Sequence, residues 1–495
     1  MKKGKLIIAL VLIVAITIAF SILPGCKSTT ATTAAAETTA AAETTAAAET
    51  TAAAETTAAG GEFPAEIVIG INTALSGGWA GFGVKPATGA EIAVEHINET
   101  GGIKSLGGAK LRLVKGDDQG VPERSIAEAE RLINNENVAA LIGVWPTETP
   151  MAATCERYSV PGLFPLGVGN TQGLGYKFVF KPYTTGAIEA EQQMNAILEA
   201  STAASIDPPK TVYMAYISDD ASVTNAAGFR DQCAKNNIQI LGDEIIPSGQ
   251  PSYASVLAKI ERAKPDLLYL CLYTPDSIVI YKEIMERKMY FKYGITGWGG
   301  GIEDIGFFQG VPPEAYAYEW SQENGDPLPW RRPYYQYINE RVEQKINISW
   351  TDSHFVSTYS AVWIIKDALE RAVYDPDIAT YRTNIRDALL ETDITMENGE
   401  NIPIPGTDKT FIPALEPFGN KWVKWDATGL NTFPAGMISQ VIDGVRWPIS
   451  PKDFWEADGP KVGILPIPTW EERVGSPELI TTIDGLNELL STKKY

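Results

Sequence analysis

Short, β-branched apolar runs alternate along most of the chain with stretches in which apolar residues return every three or four positions. Glu66 to Asn72 (EIVIGIN) shows the first pattern and predicts a buried strand; Gly89 to Glu99 shows the second, with Ala90, Ile92, Ala93, Val94 and Ile97 on one side, and predicts a helix. The same alternation predicts strands at Lys110 to Lys115, Ala139 to Val144 and Gly162 to Pro165, separated by helices at Ser125 to Asn134 and Pro150 to Tyr158. A second series follows Tyr183, with strands Thr211 to Ile217, Gln239 to Ile246, Leu267 to Leu272 and Tyr293 to Thr296. Its helices are Ala187 to Ala200, Asn225 to Asn236, Tyr253 to Ala263 and Ser277 to Glu286. Strand and helix at this spacing build parallel βαβ units, so the pattern predicts an α/β protein with two doubly wound lobes in tandem. A longer helix is predicted over Ser353 to Ala372; after Glu391 the periodicity gives way to Pro, Gly and Trp, and few elements are predicted.

Two segments before Glu66 cannot contribute to a core. The apolar run Leu6 to Leu23 follows Lys2, Lys3 and Lys5 and ends in Leu23-Pro24-Gly25-Cys26. A basic start, an apolar stretch and a small residue before a cysteine make a bacterial lipoprotein signal, in which Cys26 takes a lipid and becomes the new N-terminus. A one-pass membrane anchor is the competing reading, since about 18 apolar residues nearly suffice to span a bilayer. Beyond it, Thr-Thr-Ala-Ala-Ala-Glu repeats from Thr32 to Glu55 with a period that matches no helical repeat and with no large apolar side chain. This segment reads as a tether that gives reach.

Charge and cysteine usage narrow the partners. A net charge of −20 repels nucleic acid and anionic lipid, so neither surface is expected to be bound; the membrane is met only through the lipid on Cys26. Cys155, Cys233 and Cys271 leave an odd number after Cys26, and spacing alone does not show whether Cys233 and Cys271 pair; buried free thiols are the expectation. Histidine occurs only at His96 and His354, and Gly-x-Ser-x-Gly, His-Glu-x-x-His and Cys-x-x-Cys are all absent. Gly167-x-Gly169-x-x-x-Gly173 has the wrong spacing for a nucleotide loop. The reading is therefore a protein that is not an enzyme, with no cofactor and no metal.

The residues between the elements carry a resemblance. Ile69-Gly70, Leu75 to Gly83 (LSGGWAGFG), Ile97 to Ile103 (INETGGI), Gly116-Asp117-Asp118, Leu141-Ile142-Gly143, Pro165 to Asn170 and Ala361 to Ala372 (AVWIIKDALERA) occur in that order. Together, over about Ile67 to Arg446, they resemble type I periplasmic binding proteins of the leucine/isoleucine/valine-binding kind. The resemblance implies two Rossmann-like lobes joined by three crossover strands, a ligand in the cleft between them, and an ABC importer whose membrane subunits receive it. The same clamshell also serves surface receptors that feed a signalling partner, which is the alternative function. Expected divisions are a signal peptide over 1–25, a lipidated spacer over 26–61, a first lobe of 62–181 with about 320–420, a second of 182–319 with about 421–450, and a tail over 451–495, in a monomer.

The resemblance also implies site residues. Ligands of open α/β sheets lie beyond the carboxyl ends of the strands, where loops and helix N-termini supply N–H donors. Trp79 and Phe82 fall in the first such loop, with Phe82 at a position where the family sets an aromatic over the ligand. Thr147 matches a hydroxyl that grips a carboxylate, and Val168, Gly169 and Asn170 match a loop of further donors. Tyr273 matches an aromatic of the second lobe, and His354 lies near another ligand-facing position. Two departures stand out: Asp219 to Thr224 replaces a Tyr-Gly loop, and Gly297-Trp298-Gly299-Gly300 stands where an acid would pair with an ammonium. A buried ammonium without a counter-charge is costly, so the site needs Asp219 or Asp276, cation–π contacts with Tyr273 or Trp298, or a ligand that lacks the group. If Trp298 has replaced the acid, leucine, isoleucine and valine are expected to bind weakly and aromatic or aliphatic carboxylates better.

Overall fold

A computed structural model describes residues 63–495 other than 168, 170, 298–301, 324, 434 and 435. The leader, Cys26, the spacer and, within the expected site, Val168, Asn170 and Trp298 lie outside the described residues. The first sheet contains β1 (Glu66–Thr73), β2 (Lys110–Asp117), β3 (Ala140–Gly143), β4 (Gly162–Leu163) and β5 (Val179–Phe180), all parallel, in the order β2-β1-β3-β4-β5. It is interleaved with α1 (Ala80–Glu99), α2 (Pro122–Asn134) and α3 (Glu148–Arg157). The second sheet repeats the scheme with β6 (Thr211–Tyr216), β7 (Gln239–Ile245), β8 (Leu267–Cys271) and β9 (Ile295–Thr296), parallel in the order β7-β6-β8-β9. Its helices are α4 (Gly186–Ala203), α5 (Asp220–Lys235), α6 (Ala254–Ala263) and α7 (Thr274–Glu286). Central strands such as β3 and β8 are buried at every position, as parallel strands covered on both faces must be.

Three passages connect the halves. The first is Lys181 to Thr185, between β5 and α4. After α8 (Ile305–Gly310) and α9 (Pro313–Tyr316), β10 (Trp320–Glu323) lies beside the second sheet, where Glu319 accepts the Ile295 N–H at 2.5 Å and the Trp320 indole donates to Tyr293 O at 2.9 Å. The chain then returns to the first lobe as α10 (Tyr335–Ile346), α11 (Ser353–Arg371) and α12 (Ile378–Leu390), and α11 lies along α1. The crossing is tight: a Cβ on Gly89 would lie 2.0 Å from Phe355 O. After four short strands, β11 (Asp393–Thr395), β12 (Ile402–Pro403), β13 (Thr410–Phe411) and β14 (Trp422–Lys424), a third passage leads to β15 (Met437–Ile442) and β16 (Val445–Ser450). These pair antiparallel with β10 as β10-β15-β16 and pack on α4.

The late segments depart from the expected divisions. Residues 421–433, expected with the second lobe, run beside the end of β5: Lys181 N–H donates to Gly429 O at 2.8 Å and Asn431 N–H to Lys181 O at 2.9 Å. Residues 320–323, expected with the first lobe, lie at the second, where β10 pairs antiparallel with β15. The tail, which carries α13 (Ile483–Thr492), holds to the turn before β9. There Ile467 N–H donates to Lys292 O at 3.1 Å, Trp470 Nε1 to Met289 O at 2.9 Å, and buried Arg473 pairs with Glu319 at 2.8 Å. Cys155, Cys233 and Cys271 are buried free thiols. No helix among the described residues is long and apolar enough to cross a membrane.

Candidate binding cleft between the lobes

The carboxyl ends of both sheets deliver their loops to one place. The segment after β1, expected as a loop that holds Trp79 and Phe82, is shorter: a single 3-10 turn, Gly77–Trp79, runs straight into α1, which starts at Ala80. One feature makes the earlier start possible, and another is accommodated within it. Glycine at 83 lets the helix sit on the end of β1, since a Cβ there would lie 2.1 Å from Ala74 O. Pro86 removes one helical N–H, and its own carbonyl accepts from the Thr358 hydroxyl at 2.7 Å. Trp79 and Phe82 therefore project from a helix start. Asp117, at the end of β2, fixes the turn by accepting from Leu75 N–H at 2.8 Å, Ser76 N–H at 3.1 Å and the Ser76 hydroxyl at 2.6 Å.

Trp79, Phe82 and Trp145 from the first lobe meet Tyr273 from the second. Ring centroids lie 4.6 Å apart for Trp145 and Tyr273, 4.8 Å for Trp79 and Trp145, and 5.5 Å for Trp79 and Tyr273. Phe82 is 6.1 Å from Tyr273 and 6.0 Å from His354. Edge and tilted contacts of this kind favour the ring quadrupoles and form one aromatic cluster across the cleft. Trp145, in the loop after β3, is the member of the cluster that the sequence did not single out.

Thr147 is fully buried, and its hydroxyl donates to Asp118 Oδ2 at 2.6 Å. Burial pushes the Asp118 carboxyl up, and the bonds from Thr147 and Gly120 oppose that rise. The hydroxyl expected to grip a carboxylate is thus engaged with Asp118, while α3, which starts at the next residue, has no side-chain cap. Its first N–H groups are left to partners outside the helix. The loop carrying Gly169 is anchored from below by an ion pair that sequence spacing could not reveal. Glu148 and Lys181 are both buried and bonded to each other, Lys181 Nζ donates to Gly169 O at 3.1 Å, and the Thr171 hydroxyl to Glu148 at 3.4 Å. Gly167 has φ 114°, and a Cβ there would lie 2.3 Å from Glu148 Oε2, so only glycine fits this turn.

On the second lobe, Asp219 caps α5 by accepting Ser222 N–H at 3.1 Å, and its Oδ1 also accepts the Tyr273 hydroxyl at 2.8 Å. Burial, then the Asp219 charge, push the Tyr273 phenol well above its usual range, so it stays a donor. Asp220 accepts from Thr149 of the first lobe at 2.9 Å, a direct link between the lobes. Asp276, the other acid considered, is used elsewhere: it accepts from Ser248 at 2.5 Å, Gly249 N–H at 2.7 Å and Tyr253 at 2.5 Å. Below the aromatic cluster, Lys85 pairs with Asp352 at 2.7 Å and His354 with Asp352 at 3.1 Å. Burial opposes the charge on His354, and Asp352 outweighs it and holds the imidazole pKa above the usual value. Ser353 donates to Glu303, whose carboxyl burial pushes up to about 7.

A cleft lined by strand ends of two tandem parallel sheets, with aromatic walls from both, is the geometry of a solute trap, and comparison with known proteins agrees. The model of the family described as periplasmic binding protein matches residues 66–407. The chain belongs to the periplasmic binding protein family. Within the family it is of the type I, leucine/isoleucine/valine-binding kind. The Leu/Ile/Val-binding protein homolog 7 of Brucella suis is 30% identical to this periplasmic binding protein over 246 residues, 48% of the chain and 59% of that relative. Homolog 8 of Brucella abortus is 26% identical over 243 residues, with the same coverage. The chain thus spans 59% of the length of these relatives. Among solved structures, a putative branched-chain amino acid ABC transporter protein from Silicibacter pomeroyi aligns with TM-score 0.65 at 17% identity, over 80% of this chain and 99% of its own. The solute-binding protein of an R. palustris ABC transporter, in complex with benzoate, aligns with TM-score 0.60 at 17% identity, over 77% and 95%. LivJ of Streptococcus pneumoniae, in complex with isoleucine, aligns with TM-score 0.59 at 18% identity, over 76% and 95%. At these identities the structural likeness establishes the fold.

Proposed function

We propose that this protein captures a small amphipathic carboxylate or amino acid outside the cytoplasm and delivers it to the membrane subunits of an ABC importer. The observation that carries this reading is the convergence of Trp79, Phe82 and Trp145 on Tyr273 across the cleft. Rings held on separate lobes must part to admit a solute and close again on it, so binding and closure are one event, driven by the higher affinity of the closed form. The uncapped start of α3 supplies donors for a carboxylate. Purified protein should bind one solute per chain and return it unchanged, with the solute identified by mass spectrometry of what the protein releases. Binding should raise the unfolding free energy by about 2.7 kcal/mol at a hundredfold excess over Kd. Steady turnover of a solute by the metal-free protein would exclude the reading.

Attachment to the membrane is proposed to run through a lipid on Cys26, on the strength of the signal that precedes it. Cys26→Ser should abolish incorporation of labelled fatty acid while the body, residues 63–495, still folds. Equal labelling of the variant would exclude the anchor.

A further inference from the structure

A cavity of about 850 Å³ lies outside the cleft, beside the point where Lys181 of the first passage pairs with Leu430 of the third. It shares no residue with the aromatic cluster. One wall is a single face of α4, on which Glu191, Gln192, Asn195 and Glu199 recur at helical spacing. Across from it stand Asp426, four residues before Leu430, and Asp453 and Trp455, in the segment after β16.

Exposed acids on a chain of net charge −20 are ordinarily just solvated, and three observations set these apart. Glu191, Glu199, Asp426 and Asp453 reach one cavity from three separate segments, and none of them forms an ion pair among the described residues. Gln192, which also lines the cavity, is nine-tenths buried, and its Oε1 makes no hydrogen bond. A buried acceptor without a donor is costly, so the site calls for an N–H or O–H group. The Trp455 indole is exposed while its Nε1 is spent on Ile449 O at 2.7 Å, which leaves a ring face to offer. An anion is repelled by such a lining, whereas a cation with N–H donors and an apolar stem meets every part of it. The acids are also spread out: Glu191 and Glu199 are eight residues apart on α4, about 12 Å along its axis. Among the described residues no three acids converge closely enough to hold a metal ion.

We infer that this cavity is a second binding site, separate from the solute cleft, for an elongated organic cation of the linear polyamine class. Its ammonium groups pair with Glu191 and Glu199 toward the two ends of the trough, an N–H group donates to Gln192 Oε1, and its methylene stems lie on Ile188, Leu430 and the Trp455 ring.

The test is calorimetry on the mature, lipid-bearing protein in a neutral detergent at fixed ionic strength, with spermidine as the probe and butylamine and 1,8-octanediol as comparisons. Spermidine should bind at one per chain and at least tenfold more tightly than either comparison. Glu191→Gln with Glu199→Gln should weaken it at least tenfold, and Trp455→Ala about threefold. Both glutamates are exposed, so the unfolding midpoint of that double variant should match the parent, which separates loss of charge from loss of fold. Glu123→Gln with Glu488→Gln, exposed acids outside the cavity, should leave spermidine binding unchanged. The inference is overturned if spermidine does not bind, if the diol binds as tightly, or if the two double variants lose affinity equally. It is also overturned if Trp145→Ala abolishes spermidine binding and the α4 pair does not, since the polyamine would then sit in the solute cleft.

Discussion

On the first-lobe wall of the cleft, α1 and α3 begin without side-chain caps and three aromatic residues stand at their starts; on the second-lobe wall, α5 begins with Asp219 as its cap and Tyr273 leans on that same carboxylate. An uncapped helix start attracts negative charge, whereas one capped by a carboxylate repels it. Two βαβ lobes of one architecture thus offer opposite electrostatics to a solute, and the difference lies in a few residues at strand ends. The same contrast runs through the interior. Glu148 under the first wall forms an ion pair with Lys181, while Glu189 in the first turn of α4 is hydrogen-bonded by neutral donors, the Tyr183 hydroxyl at 2.7 Å and Asn225 at 2.8 Å, with the Lys181 charge acting on it but no ion pair to it among the described residues.

The largest effect is expected from breaking the first-lobe pair. Lys181→Met leaves Glu148 charged and buried beneath the Gly169 loop, and should lower the unfolding free energy by about 3–5 kcal/mol in urea titration. Glu148→Gln combined with Lys181→Met should recover most of that loss. Equal stability of the single and double variants would show that the pair does not support the wall.

The unpaired glutamate predicts a pH dependence of opposite character. Burial raises Glu189 from about 4.5 to about 8, so between these values the folded state holds a proton that the unfolded chain has released. Stability should then fall as pH rises from about 5 to 8, by an amount on the order of 3 kcal/mol from this group. Glu303, raised to about 7, slopes the same way, so the measurement is the difference between the parent and Glu189→Gln across that range. A parent and variant with parallel profiles would place the Glu189 carboxyl in its ordinary range.

Smaller effects sharpen the comparison of the two walls. Trp145→Ala should weaken the released solute by about 2 kcal/mol through lost ring contact, with little change in ligand-free stability because Trp145 is only partly buried. Tyr273→Phe keeps the ring and removes the bond to Asp219, and should change affinity by about 1 kcal/mol. If Tyr273→Phe were as damaging as Trp145→Ala, the hydroxyl itself, not the ring, would be the second lobe's contribution.

Periodicity alone gave the strands of the two parallel sheets other than β5 and the helices between them, because strands buried on two faces and helices with one apolar stripe leave signals within a dozen residues, whereas a two-residue strand does not. That the loops beyond the strand ends would meet at one cleft was implied by the family resemblance and not by periodicity. Three kinds of fact needed the tertiary structure. The start of α1 depended on the fit of Gly83 over Ala74 O, a contact between elements and not a propensity. In the β10-β15-β16 sheet, β10 and β15 lie more than a hundred residues apart, so β10 has no strand partner in its own neighbourhood, whereas β15 and β16 form a local hairpin about Asp443-Gly444 that the reading of periodicity left out. The electrostatics of the cleft depended on which carboxylate met which donor: Asp276 was spent on Ser248, Gly249 and Tyr253, Thr147 on Asp118, and Glu148 on Lys181. Sequence supplies the charged groups; only the folded chain pairs them, and what is left without a donor, such as Asp219 Oδ2, is decided by that pairing.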